Sequence, residues 1–554
     1  MILLWILVIL AAAGGLAALA ARWSNSAPRW IALIGIALDF VLTLQIWIRS
    51  GAGQFTGAQQ GHWLREVNWN WIPQFGIHFH LALDGLSLLL LLLTFALGMI
   101  GVLCSWREIG GADHREAAGA EPPSKGGASR GIGFFHLNLC WLILGITGVF
   151  LAMDLFLFYF AWELMLVPMF FLIAIWGHER RVYASIKFFL FTQISGLLML
   201  LAILALYFKH HAATGVYTFE YAQLLHTPLS PSVALLILLG FFAAFSVKLP
   251  MFPFHTWLPD AHTEASTAGS LILAGLMLKT GAYGLLRFIL PLFPHAARAF
   301  APWAMVLAGI GIVYGALLAY GQTDMKRLVA YTSVSHMGFV LLGVFAAALA
   351  GPGSEAAKWA LEGVVLEILC HGFSTGALFV ITGLIQERLH TREMAEMNGL
   401  WAVIPRASGA GQFFAMAAIG LPGLGNFVAE FLILLGVFHV SVGLAIVGAI
   451  GILVSTFYGI EMVQQAFQGP NRHHWQVPDL NFREALSLVP MMAVLLWLGL
   501  YPQPVLNEAA PSLALIESQL AASQVRTATL PKVPLTLTAH ADPPKRNARR
   551  RVLK

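Results

Sequence analysis

The sequence predicts an all-α polytopic membrane protein of about fourteen transmembrane helices, with two inverted five-helix repeats and two broken helices. Three observations carry that prediction. The 554 residues are 58% hydrophobic and only 11% charged, with mean hydropathy +0.76, whereas a soluble domain carries roughly 25% charged residues. Apolar windows of about 20 residues, enough to cross a bilayer core, recur along the chain. Two of those windows are interrupted by proline and glycine.

In chain order the predicted spans are 2–21, 29–48, 82–103, 132–152, 155–175, 187–207, 233–257, 266–290, 302–320, 328–350, 361–385, 408–436, 438–463 and 486–502. Met1–Ala21 is apolar but lacks a basic leader and a convincing cleavage site, so it reads as the first span rather than a signal peptide. The segments 49–81, 104–131, 208–231 and 464–485 read as irregular, and the tail 503–554 as a solvated, poorly ordered extension with a strongly basic end, KRNARRRVLK. This divides the chain into N-terminal spans and loops (1–131), a first five-helix unit (132–290), a second (302–463), a last span region (464–502) and the tail (503–554). Five is odd, so the second unit crosses the membrane in the opposite sense to the first. The broken spans, 233–257 with SVKLPMFP and 408–436 with GLPGLGN, are each the fourth of their unit. Paired breaks in inverted halves point to a transport site near the midplane, where freed backbone groups are met by protein or water. Pro250, Pro253 and Pro422 make the breaks.

With fourteen crossings, alternate loops fall on opposite sides. One set holds sixteen Lys and Arg residues and the other six, from Arg49 to Lys358. The richer set is therefore expected on the cytoplasmic side, with both termini outside. The basic tail then lies outside despite its charge. Cys104, Cys140 and Cys370 are far apart and form no CxxC or CxxCH, which argues against iron–sulfur, zinc and c-type haem sites. There is no P-loop and no GxGxxG between a strand and a helix, so nucleotide binding is unsupported. No nucleic-acid partner is expected; the bilayer is.

Seven ionisable groups fall well inside predicted spans: Asp39, Glu163, Lys248, Lys279, His336, His371 and Glu430. An acid or lysine at a helix centre costs about 2.5–3.5 kcal/mol on insertion scales, so such groups face a protein interior, a partner charge or water. Glu163, Lys248, Lys279 and Glu430 supply two acids and two amines, and neither lysine lies near a predicted helix end from which it could snorkel. A buried lysine can load and release a proton near neutral pH, which an arginine cannot. His336 and His371, with Ser333, Ser335, Ser374 and Thr375 close by, suit a hydrated relay. Asp39 has no evident partner, and His255 and His262 flank the first break.

The stretch KLPMFPFHTWLPDAHTEASTAGSLILAGLMLKTGAYGLLRF resembles the signature of the antiporter-like membrane subunits of respiratory complex I, shared with multisubunit sodium/proton antiporters and membrane-bound hydrogenases. The likeness continues through DLFLFYFAWELMLVPMFFLI, QTDMKRLVAYTSVSHMGF, HGFSTGALF and NFVAEFLIL, over roughly residues 80–500. It implies that Glu163 pairs with Lys248, that Lys279 is the central relay and that Glu430 is the exit-side proton group. His336 and His371 would lie on the hydrated path between the halves. An acid rather than a lysine at 430 fits one branch of the family. Ser266 stands where the family commonly has proline. The implied function is proton translocation in the bacterial inner membrane, as part of a proton-translocating NADH:quinone oxidoreductase. This chain would hold no cofactor; FMN, iron–sulfur clusters and quinone would belong to partner subunits, and neighbouring antiporter-like subunits would flank it. A subunit of a cation/proton antiporter or membrane-bound hydrogenase would use the same charges. A non-conducting scaffold gains nothing from burying four such groups.

Overall fold

The computed structural model describes residues 1–50, 63–109 and 125–528. The crossings run through helices α1 (Ile2–Ala20), α2 (Ala27–Ser50), α3 (Gly85–Glu108), α4 (Lys125–Leu151), α5 (Leu155–Trp176), α6 (Arg181–Thr214), α7 (Pro231–Lys248) and α8 (Trp257–Glu264). They continue with α9 (Thr267–Leu292), α10 (Pro294–Tyr320), α11 (Met325–Ala350), α12 (Glu355–Leu389), α13 (Pro405–Ala418), α14 (Gly425–Val440), α15 (Val442–Phe467) and α16 (Phe482–Leu500). Among the described residues thirteen helices are long and apolar enough to cross a membrane, with Gly425–Val440 a shorter apolar helix beside them. That total matches the fourteen spans expected.

Short polar side chains start many of these helices by bonding the first free backbone amides. Asp84 accepts from Ser87 N ahead of α3, Asp154 from Phe156 and Leu157 N ahead of α5, and Asn481 with Glu484 forms a capping box ahead of α16. Ser266 does the same for α9, accepting from Gly269 N, so the departure from proline leaves a well-started helix.

Burial separates the helices into an inner row and an outer shell. The most apolar window of α9 is 100% buried, that of α12 94% and that of α11 89%, against 33% for α1, α2, α15 and α16. The inner row carries the buried charges Lys279, Arg287, Lys326 and Glu367, and the outer shell presents leucine and isoleucine to lipid.

Several expectations change. The segment 49–81 contains an antiparallel hairpin, β1 (Arg65–Ile72) with β2 (Ile77–Leu83), in register Val67↔Leu81 and Trp69↔Phe79. Its alternating apolar and polar residues, split by a turn at Gly76 (φ 63°), explain it. The tail begins as a helix, α17 (Gln503–Ala528), with Val505, Leu506, Ala509, Leu513, Ile516 and Leu520 buried against the body. Those spacings of three and four are an amphipathic stripe, so residues 503–521 are packed rather than a loose extension; the basic end lies outside the described residues, as does most of 104–131. Arg287 is buried within α9 in an ion pair with Asp84, and Lys326 is buried with Nζ 2.5 Å from Ala265 O. Lys326 is one of the sixteen basic residues counted on one side and Arg287 one of the six on the other; without these buried groups the asymmetry is fifteen to five.

Both breaks are present. α7 ends at Lys248, a turn containing Pro250 and Pro253 follows, and α8 resumes at Trp257. Pro422 lies in the turn between α13 and α14. Lys248 is therefore the last residue of its helix, not a mid-helix residue as expected. Pro250 lacks an amide to continue the ladder, so the lysine stands at the negative end of a helix dipole, where a cation is stabilised.

Candidate functional site

Three groups of buried polar side chains follow one another through the interior. The first surrounds the α7 break. Lys248 is 1% exposed, and its Nζ lies 5.2 Å from the Trp162 ring centre and 5.7 Å from that of Phe188. Its ammonium is cradled by aromatic faces, which attract a cation, and has no hydrogen-bond partner among the described residues. Glu163 is half-buried one residue beyond Trp162, within electrostatic range of Lys248 and bonded by Tyr159 and Gln193. No Glu163–Lys248 ion pair within 4 Å is present among the described residues, so the expected pairing is open in this structure. Gly196 of α6 gives the carboxylate its place: a Cβ there would come 2.5 Å from Glu163 Oε1.

The second group is centred on Lys279, fully buried on α9. The helix widens to π geometry at Leu273–Met277 and Leu285–Ile289, on either side of the lysine, and such widenings leave a carbonyl free. Lys279 Nζ takes up that of Ala274 at 3.2 Å and lies 2.5 Å from His371 Nδ1 on α12. The two helices come this close because Gly275 and Gly372 face each other: a Cβ on either would meet the other's carbonyl oxygen at 3.4 or 3.1 Å.

The third group joins α11, α12, α14 and α15. The His371 and His336 ring centres are 5.6 Å apart. His336 Nδ1 lies 2.9 Å from Glu430 Oε1 and 3.7 Å from Glu367 Oε1, and His336 Nε2 lies 3.3 Å from Tyr458 Oη. The structure thus brings Lys279, His371, His336 and Glu430 into one continuous cluster. Glu367 and Tyr458 belong to it and were not anticipated. Glu367 sat near the start of a span placed at 361, but α12 begins at Glu355, which carries the acid a further turn and a half inside. Its position four residues before His371, on the same helix face, was the available signal. Neither Glu367 oxygen has a hydrogen-bond partner among the described residues.

Other expected members divide. Ser335 Oγ is committed to Ile312 O at 2.8 Å, and Ser374 accepts from Asn426 Nδ2 at 3.3 Å. Ser333, Thr375 and both ring nitrogens of His262 are buried without partners among the described residues; buried polar atoms of this kind are ordinarily bonded to water. His262 stacks on Phe379, ring centres 4.4 Å apart, beside the Lys326–Ala265 contact. His255 lies against Phe252 and Tyr314 at the α7 break. Asp39 is buried on α2, apart from the row, with neither oxygen bonded among the described residues. His336, Glu367 and Glu430 also offer one nitrogen and two oxygens within 4.8 Å of one another, a spacing that suits a small cation as well as a shared proton.

A bundle of some fourteen crossings, interrupted twice and threaded by a buried line of acids, amines and imidazoles, defines a membrane ion-translocating subunit of the antiporter-like class. The chain belongs to the family described as NADH:quinone oxidoreductase/Mrp antiporter, transmembrane, whose family model matches residues 152–456. It is 49% identical to NADH-quinone oxidoreductase subunit M of Pseudomonas aeruginosa, over 94% of this chain and 99% of that one, and 46% identical to subunit M of Escherichia coli, over 93% and 98%. Among solved structures it resembles a chain of respiratory complex I from Thermus thermophilus (TM-score 0.77, 28% identity, 94% and 100% covered). A chain of the Mrp complex of Dietzia shares the fold (TM-score 0.77, 19% identity, 94% and 98% covered). The branch that an acid at position 430 pointed to is that of subunit M.

Proposed function

We propose that this chain is a proton-translocating membrane-arm subunit of an NADH:quinone oxidoreductase of the bacterial inner membrane, of the subunit M type, driven by redox chemistry in partner subunits. Proton translocation, membrane location and partnership with other complex I membrane subunits follow from family membership and the near full-length likeness to subunit M. FMN, iron–sulfur clusters and quinone belong, in this reading, to those partners. The two five-helix units are taken as 132–290 and 302–463.

In the relay we propose, a proton loads Lys248 from the cytoplasmic side. Moving the Glu163 carboxylate toward or away from Lys248 sets how firmly that proton is held. Two unit charges 4 Å apart interact by about 4 kcal/mol at an effective dielectric of 20, so closing the pair is a strong switch. Glu163 is the less buried member of the two, placed where a neighbouring subunit can act on it. The proton then passes to Lys279, to His371 in direct contact, and through His336 to Glu430, with Glu367 balancing charge beside it. The observation that carries this reading is the unbroken cluster from Lys279 Nζ to Glu430 Oε1, bridged by two histidines.

The test is proton pumping by the assembled complex carrying Glu163→Ala, Lys248→Ala or Glu430→Ala. Each is expected to lower redox-coupled proton translocation, and wild-type pumping in all three would overturn the assignment. The His336–Glu367–Glu430 geometry favours one second reading, cation exchange at the same cluster. Pumping that depends on sodium concentration would support it.

A further inference from the structure

An apolar groove of about 600 Å³ runs along the outer surface between α2, α3, α12 and α16. Ala37 and Phe40 form one wall, Met99 and Val494 the others, and Leu369 and Phe373 of α12 the floor. It extends along α2 from Leu33 to Trp47, fourteen residues or ~21 Å of helix, which is acyl-chain length. Trp47 and Trp497, with ring centres 6.3 Å apart, close one end.

The other end is cationic. One turn beyond Leu33, Leu103 and Leu486, all groove residues, stand Arg29, Arg107 and Arg483. Arg483 is within electrostatic range of both other arginines. Trp30 and Trp106 pack edge to face at 5.0 Å beside them, and Arg29 lies over the Trp106 ring at 5.8 Å. Tryptophan and arginine at a helix end mark the headgroup level of a bilayer. Of the acids nearby, Glu484 bonds Arg388 at 2.6 Å and caps α16 while its other oxygen lies 3.9 Å from Arg483, and Glu108 accepts from Thr267 N. Glu387 is also within range of Arg483; with Arg388 counted, four arginines stand against these three acids and the cluster keeps a net positive charge.

We propose that this groove is a binding site for an anionic phospholipid, its phosphate held by Arg29, Arg107 and Arg483 and one acyl chain laid along the slot to the Trp47–Trp497 pair. An apolar trough of acyl length with three clustered arginines at one interfacial end matches that amphiphile in shape and charge. The site also backs the proton path. Glu367 and His371 lie about half a helical turn from Leu369 and Phe373 on α12, so the bound chain seals the lipid side of the helix that carries the relay.

The experiment uses the assembled complex purified in mild detergent, with retained lipid quantified by native mass spectrometry. Proton pumping is measured in phosphatidylcholine vesicles with increasing phosphatidylglycerol. The wild type is expected to retain anionic lipid and to need phosphatidylglycerol for full pumping yield. Arg483→Gln should retain about fivefold less, the equivalent of ~1 kcal/mol for one basic residue at a membrane surface. Ala37→Trp, which fills the slot without touching the arginines, should displace the same lipid. Equal retention by both variants and the wild type would overturn the proposal, as would finding a helix of a neighbouring subunit seated in the groove. Loss of retention in both, with the electron-transfer rate kept, supports it.

Discussion

Replacing Glu367 by glutamine removes an ionisable carboxyl from the centre of the proposed relay while keeping the shape of the side chain. The carboxylate is fully buried and lies 3.7 Å from His336 Nδ1. At an effective dielectric of about 20, a carboxylate and an imidazolium at that distance attract by about 4.5 kcal/mol. Glutamine cannot supply that attraction when a proton passes this point, a loss worth up to about a thousandfold, before water in the cavity takes up part of the difference. His336 is the link between His371 and Glu430, so the step through it should slow by at least ~10-fold even if most of the attraction is compensated. The assay is the purified complex in sealed vesicles, with NADH oxidation and internal acidification followed together. The expected result for Glu367→Gln is a lower proton yield per NADH, with partial recovery in Glu367→Asp. A wild-type yield in Glu367→Gln would refute the reasoning, because the carboxylate would then be a bystander held in the cluster by packing.

Gly196→Ala places a Cβ 2.5 Å from Glu163 Oε1, so the carboxylate must withdraw by about 1 Å; misplacement on that scale costs between a few-fold and ~100-fold, read as slower pumping in a normally assembled complex. Breaking the buried Asp84–Arg287 pair by Arg287→Met alone should destabilise by about 3–5 kcal/mol, whereas combining it with Asp84→Asn should recover much of the loss; thermal dissociation of the complex reports both. The outer hairpin should loosen as pH rises. Burial opposes charge on His80, but Glu220 and Glu66, bonded at 2.7 and 2.9 Å, outweigh it and hold the imidazole above its ordinary pKa. Burial, reinforced by the charge of Glu220, pushes the Asp154 carboxyl up to about 7. Both groups bind a proton more tightly folded than unfolded. Their contributions are therefore complete at low pH and are lost as pH rises, between the ordinary carboxyl range and about 7 for Asp154 and above the ordinary imidazole value for His80. Hydrogen exchange of residues 65–83, corrected for its intrinsic pH dependence, should be faster at high pH than at low; a flat profile would count against the clamp.

Membrane folds expose much of themselves in one dimension. Lipid requires every crossing to satisfy its own backbone bonds within a helix, so a run of apolar residues is nearly a structural element by itself, and thirteen of the fourteen crossings have a long helix of their own. Insertion cost makes each ionisable residue within such a run conspicuous, which is why Glu163, Lys248, Lys279, His336, His371 and Glu430 could be named from residue type and position. Pro250, Pro253 and Pro422 were legible for the same reason, since proline ends a hydrogen-bond ladder by its own chemistry.

Distance between helices is a different kind of information. Which acid meets which base depends on crossing points set by small residues such as Gly275 and Gly372, and those contacts join positions about a hundred residues apart. Only tertiary packing could show that Glu163 and Lys248 stand apart, that Lys279 touches His371, and that Glu367 and Tyr458 complete the cluster around His336 and Glu430. It also decided that Lys248 closes a helix, that Arg287 is a buried ion-pair partner, and that residues 503–521 cover the body. Hydropathy locates charges along the membrane normal because lipid acts on each residue separately. It is silent about neighbours in the membrane plane, where the energies that choose a proton's route arise between pairs.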